Sequence, residues 1–271
     1  LKEGVSHQGE DWYTIPENVP VVNCLFYYNK DVLENAGVTE VPKSYAEFVE
    51  ACKKITETGN GQVYGLIEGG KQLNRLDILA RSLAGAAGGK IAQNAKVLTV
   101  DGRASYDSKE MVGAMALLEQ LVKDGSIHPD TVNIGAPEAR ELFAQGQAGF
   151  LCQGMWCIPP WDQTYPDLNY GVMAVPTPDG EIKGGVQQVE SAPWMGLYKQ
   201  SKHPKEAAEY LMALFSEEYN YQSDCVEDGN YVSIVPAVNE KHLNNEVMKE
   251  YYEIAETTSK DIPSATTRDE K

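Results

Sequence analysis

The chain has 271 residues, 42% hydrophobic and 23% charged, and a globular protein of that size buries roughly 70–75% of its unfolded surface in one large domain or two. No run of 18 apolar residues could span a bilayer. With 23 Lys and Arg against 40 Asp and Glu the net charge is −17, and the acids are scattered, which argues against nucleic acid or anionic lipid as a partner.

In chain order, the turn-rich opening "LKEGVSHQGEDWYTIPENVP" leads into "VPVVNCLFYY" (19–28), a β-branched and aromatic run that reads as a strand closed by Asn29-Lys30-Asp31. A short helix over 32–36 stops at Gly37. Ser44 and Glu47 predict a capping box, and Phe48, Ala51, Cys52 and Ile55 share a helical face before Gly59-Asn60-Gly61 ends the helix. Residues 63–67, "VYGLI", read as a strand, and 74–87 as a small-residue-rich helix ended by Gly88-Gly89. Ser108 caps a long helix in which Met111, Met115, Leu118 and Val122 recur at helical spacing, so this stripe is expected to pack into the core before Asp124-Gly125. Pro137 opens another helix through Ala144.

Next comes "FAQGQAGFLCQGMWC" (143–157), in which 148–152 are expected to be a buried strand, Gly154 the hinge that turns the chain, and Trp156 the large side chain delivered just beyond it. "NYGVMAVPTPDGEIKGG" (169–185) reads as a strand and a Pro- and Gly-rich crossing, and "PWMGLY" (193–198) as another strand. Pro204 starts a helix with Ala207, Tyr210, Leu211, Leu214 and Phe215 inward, and a last helix covers about 245–256. Strands alternating with helices of ten or more residues predict an α/β fold.

No phosphate-binding loop, dinucleotide fingerprint or His-Glu-x-x-His helix is present, and His7, His128, His203 and His242 stand singly, so no metal, cofactor or His-based triad is expected. Cys24, Cys52, Cys152, Cys157 and Cys225 include no Cys-x-x-Cys pair and read mostly as small core hydrophobes, with a Cys152–Cys157 bridge as the minority alternative. Acidic pairs such as Glu217-Glu218 and Glu227-Asp228 lie at helix ends or turns, where solvation accounts for them. Glu190 differs: in "GGVQQVESAPW", Gln187, Gln188, Glu190 and Ser191 gather donors and acceptors that suit a hydroxyl-rich ligand.

The order of these segments resembles the family 1 extracellular solute-binding proteins, the sugar-capturing components of ABC importers, to which maltose-binding protein is related. The likeness is carried by "WYTIPENVPVVNCLFYYNKDVLENAG", "VPKSYAEFVEACKKIT", "AGAAGGKI", "SKEMVGAMALLEQLVKDGSIHP", "LFAQGQAGFLCQGMW", "NYGVMAVPTPDG" with its following glycines, and "SKHPKEAAEYLMALFSEE", all in the family's order. It implies a two-lobe periplasmic-binding-protein-like fold of type II. Lobe 2 would span 24–176 and 239–271, and an incomplete lobe 1 would span 1–22 and 179–236, with crossings near 14–23, 176–185 and 236–239. No signal peptide is visible, and the abrupt ends lead us to expect that the chain lacks both its true N-terminus and helices after "IPSATTR".

The same resemblance places Trp156 where relatives stack an aromatic on a sugar ring, whose apolar axial face and hydroxylated rim suit a flat aromatic wall with polar neighbours. Asn23 falls at the hinge strand, Arg75 and Asp77 where relatives contribute cleft residues, and Arg268 where a further cleft segment begins; a surface ion pair is the alternative for Arg75 and Asp77. Gln188, Glu190, Ser191 and Trp194 lie in a loop longer than the family's pattern. The implied function is non-enzymatic: capture of a mono- or oligosaccharide in an inter-lobe cleft and delivery to ABC transporter permease subunits. The protein would be extracellular, either periplasmic or on the cell surface, touching the membrane only through a lipid anchor absent from this chain. Competing readings are a carbohydrate-active hydrolase built on Glu190, a binder of another polar solute such as a polyamine, and a binding protein that reports to a sensor kinase.

Overall fold

The structure, a computed structural model, describes residues 24–72, 74–88, 106–181, 194–214, 226–227 and 236–259, together with the backbone of 7–8, 10–12 and 15–16. Short strands β1 (His7–Gln8) and β2 (Asp11–Trp12) pair antiparallel. The main sheet consists of β4 (Leu25–Asn29), β5 (Tyr64–Ile67), β6 (Ala148–Gln153) and β7 (Tyr170–Met173), in the order β5-β6-β4-β7. β5 is parallel to β6, whereas β4 runs antiparallel to both β6 and β7. Outside this sheet, β3 (Ile15–Pro16) pairs antiparallel with β8 (Trp194–Met195).

Helices follow the strands closely. The expected turn after the first long strand is absent, because Asn29 ends β4 and its side chain accepts from the Val32 N–H at 3.0 Å, starting α1 (Lys30–Asn35) at once. In α2 (Tyr45–Gly59) the capping box forms as predicted: Ser44 Oγ accepts from Glu47 N at 3.2 Å and Glu47 Oε2 from Ser44 N at 2.9 Å. Its predicted face of Phe48, Ala51, Cys52 and Ile55 is buried. Gly149 in β6 is bare because a Cβ there would lie 2.5 Å from Ile55 Cδ1. The remaining helices are α3 (Arg75–Ala86), α4 (Lys109–Lys123), α5 (Ala136–Ala144), α6 (Ile158–Thr164), α7 (Pro204–Leu214), α8 (Pro236–His242) and α9 (Glu246–Ser259).

The core lies around β4 and β6, and all six residues of β6 are buried. Tyr27 sits in an aromatic cluster, edge-on to Trp161 at 5.0 Å and 6.2 and 6.0 Å from Tyr170 and Tyr251, so β4, α6, β7 and α9 meet around one ring. The return segment after β7 is tied to the entry of α2: Thr177 N donates to Lys43 O at 3.0 Å, and Tyr45 N to Thr177 O at 2.8 Å.

Two expected apolar faces turn out differently. In α4 the buried residues are Met111, Ala114, Leu117 and Leu121, while Met115 and Val122 are 52% and 64% exposed. Spacings of four, three and four residues fit the helical period as well as the observed three, three and four, so the sequence left the orientation open by most of a right angle. In α7 no residue is buried: Ala207, Leu211 and Leu214 are half-buried and Tyr210 is exposed, and Phe215 lies outside the described residues. The strand expected over 193–198 is confined to β8.

Candidate functional site

Sheet topology creates the site. Because β5 and β6 are parallel and β4 antiparallel, the carboxyl ends of β5 and β6 and the amino end of β4 share one edge, which the end of β7 joins through the Phe26–Met173 pairing. Open α/β sheets bind ligands at such an edge. Here it carries Glu68, Gln153, Gly154, Trp156 and Cys24, with Arg75 supplied by the first residue of α3.

Beneath the edge is a buried polar cluster. Glu68 and Arg75, 1% and 4% exposed, form a two-pronged ion pair in which Nε donates to Oε1 and Nη2 to Oε2, both at 3.1 Å. Glu68 Oε1 also accepts from Gly69 N at 2.8 Å and Gln153 Nε2 at 3.3 Å. Arg75 Nη2 further donates to the Cys152 carbonyl, and Nη1 approaches Cys24 Sγ at 3.6 Å. Burial pushes the Glu68 carboxyl up, against the opposing pull of Arg75. Contact with the Cys152 thiol, assisted by Arg75, holds the Cys24 thiol below its usual range despite burial.

Gln153 Oε1 faces Cys157 Sγ at 3.9 Å, and Arg140 Nη1 approaches the same sulfur at 3.8 Å, while burial pushes that thiol up to about 12. Cys24, Cys52, Cys152 and Cys157 are free thiols, so the Cys152–Cys157 bridge does not form. Cys52 is a plain core residue, but Cys24 and Cys157 serve as soft partners of guanidinium groups. Cys225 lies outside the described residues.

Just past the end of β6, residues 155–157 form a single 3-10 turn that carries the half-buried Trp156, which packs against the hydrophobic core. Gly154 has φ −88° and ψ 172°, extended backbone open to any residue, so it is not needed as a hinge. Its role is close approach: a Cβ at 154 would fall 2.1 Å from Cζ3 of the Trp156 indole, which lies directly on the bare Cα. Tyr27 Oη, from the core, donates to the Gly154 carbonyl at 3.0 Å.

The other expected site residues separate. Arg75 is at the edge but turned inward onto Glu68, in a buried pair rather than a surface one. Asp77, two residues along α3, pairs with the buried Arg81 Nε at 2.9 Å and accepts from Tyr106 Oη at 2.6 Å. Asn23, Gln188, Glu190, Ser191 and Arg268 lie outside the described residues, and at Trp194 the backbone alone is described, opposite Pro16. Glu68 and Gln153 were missed by sequence reasoning, although "GLIEGG" offered a signal in an acid ending an apolar strand before paired glycines. Gly69 is required there, since a Cβ would lie 2.3 Å from Ala136 N.

A mixed sheet with helices packed against it, carrying a buried polar cluster at the edge where the ends of β5 and β6 meet, defines an α/β fold. More particularly, the chain belongs to the bacterial extracellular solute-binding protein family, whose model matches residues 3–221. A putative binding protein of Brucella abortus is 25% identical over 193 residues, 71% of this chain and 44% of that protein. An ABC transporter solute-binding protein from Thermotoga lettingae, bound with alpha-D-tagatose, matches with a TM-score of 0.72 at 23% identity, covering 97% of this chain and 64% of that one. A chitin oligosaccharide binding protein matches with a TM-score of 0.73 at 23% identity, covering 94% and 62%. The fold is thus the two-lobe periplasmic-binding-protein type that the order of motifs predicted, and the chain spans under half the length of the curated relative and under two thirds of either solved protein. Among the described residues no helix is long and apolar enough to cross a membrane.

Proposed function

We propose that the protein is the substrate-binding component of an ABC importer, capturing a mono- or oligosaccharide between two lobes and presenting it to permease subunits on the outer face of the membrane, where it is periplasmic or lipid-anchored. The observation that carries the reading is the half-buried Trp156 indole lying on Gly154, just past the end of β6, whose last residue, Gln153, belongs to the buried polar cluster. A flat aromatic there meets the apolar face of a sugar ring, and stacking contributes about 0.5–1.5 kcal/mol beyond area burial. The tagatose-bound and chitin-oligosaccharide-binding neighbours support a carbohydrate ligand. Asn23, Gln188, Glu190, Ser191 and Trp194 are proposed to complete the cleft, with Asp77 and Arg268 at its margins.

The role is binding rather than hydrolysis. Glu68, the buried carboxylate at the site, is held by Arg75 and faces no second acid among the described contacts, whereas glycoside cleavage needs two carboxyl groups about 5–10 Å apart across one bond. Ligand would drive closure through its higher affinity for the closed form. Calorimetry with tagatose, stachyose and chitin oligosaccharides, and with spermidine as the polyamine arm, tests the reading: one sugar binds, and Trp156→Ala weakens that binding far more than it lowers the melting temperature. Binding of spermidine alone overturns the sugar assignment, and sugar turnover that disappears in Glu190→Gln overturns the non-enzymatic one.

A further inference from the structure

We propose that Glu68, Arg75 and Gln153 are positioning residues that fix the 153–157 turn, and through it the Trp156 platform, without touching ligand themselves. This rests on the reading of Trp156 as the sugar platform and concerns what holds that platform in place. Within the turn Cys157 N reaches Gly154 O at 3.3 Å and the Ile158 N–H donates to Met155 O, while Tyr27 Oη holds the Gly154 carbonyl at 3.0 Å. The residues on either side of the turn are held by the buried cluster. Arg75 grips the Cys152 carbonyl, Glu68 accepts from the Gln153 amide at 3.3 Å, and the other end of that amide faces the Cys157 thiol at 3.9 Å. Cys152, Gln153 and Cys157, the residues entering and leaving the turn, are thus all bound into one network.

Occupancy of Glu68 Oε1, together with burial, separates positioning from ligand contact. Glu68 Oε1 takes Arg75 Nε, Gly69 N and Gln153 Nε2, Oε2 takes Arg75 Nη2, and the residue is 1% exposed, so a ligand hydroxyl has neither a path to it nor a free site on Oε1. The planar, two-pronged guanidinium–carboxylate pair fixes orientation as well as distance. A buried ion pair of this kind is weak evidence for stability, and definition of one geometry is the role we assign it.

The test needs no ligand for its first readout. Trp156 emission and acrylamide quenching are obtained as the difference between each protein and the same protein carrying Trp156→Phe. Glu68→Gln and Gln153→Ala are compared with Leu33→Ala, a core truncation on α1 at the opposite end of β4. The expected result is a shifted Trp156 signal in both network variants, with affinity for whichever of tagatose, stachyose or chitin oligosaccharide binds falling about tenfold or more. Leu33→Ala should lower the melting temperature and leave both readouts in place. If Glu68→Gln does not fold, Gln153→Ala decides alone, since it removes one amide and leaves the ion pair intact. A lowered melting temperature with an unchanged Trp156 signal overturns the proposal, as does an equal shift in Leu33→Ala. A shifted signal in a protein that binds none of the sugars leaves the positioning role standing and removes the sugar reading.

Discussion

Helices α3 and α7 have amphipathic patterns of similar strength and opposite fates. In α3, "RLDILARSLAGA", ten of the twelve residues are buried, including Arg75 and Arg81. In α7, "PKEAAEYLMAL", the more apolar of the two, none is, and Tyr210 and Met212 are 65% and 67% exposed. The difference lies in what stands opposite. α3 packs along α4, with Arg75 reaching across to the sheet edge, whereas α7 shares no extensive packing with another described element and its Leu211 is half-buried. An apolar stripe states that a cover is needed and leaves open which element supplies it.

The comparison can be broken most sharply at the first residue of α3. Arg75→Met leaves the Glu68 carboxylate buried without its partner, and urea unfolding should show a loss of about 3–5 kcal/mol. Next comes a matched pair: Leu79→Ala, at 2% exposure in α3, should cost about 2–5 kcal/mol, while Leu211→Ala in α7 should cost less than about 1 kcal/mol. Equal losses would mean that the α7 face is covered after all, and the contrast would disappear. Gly154→Ala forces a methyl group into the Trp156 ring and should cost about 1–3 kcal/mol together with a change in tryptophan emission.

The smallest effect concerns pH. His128 is 6% exposed, its Nδ1 accepts from Asp130 N at 3.2 Å, and burial pushes its pKa down even with Asp130 nearby. Folding therefore favours the neutral imidazole over the charged one. Above the unfolded value of about 6.5 its contribution is fully present; as pH falls through that value the unfolded chain takes up a proton first and stability declines. His128→Gln should flatten the dependence of unfolding free energy between about pH 7 and 5, measured at matched denaturant.

Legibility followed the range of the interactions. The Ser44–Glu47 box, the α2 face and the buried β6 strand were readable because each depends on neighbours within a turn or on simple alternation of burial. At the site, Trp156 stood out through its glycine neighbour, although the glycine serves contact rather than conformation. The α4 stripe misled because Met111 fits either of two overlapping faces, and the choice falls to what α4 packs against in α2 and α3.

The sequence by itself determined the α/β class, the positions of most helices and the tryptophan at the end of β6, since local propensity, capping and periodicity act over a few residues. Tertiary structure alone decided that Glu68, Arg75 and Gln153, separated by up to 85 residues, close into one buried cluster. The physical reason is strand order. Parallel pairing of β5 with β6 carries Glu68 and Gln153 to the same edge, and a charged pair buried there becomes tolerable only when that register brings its partners together.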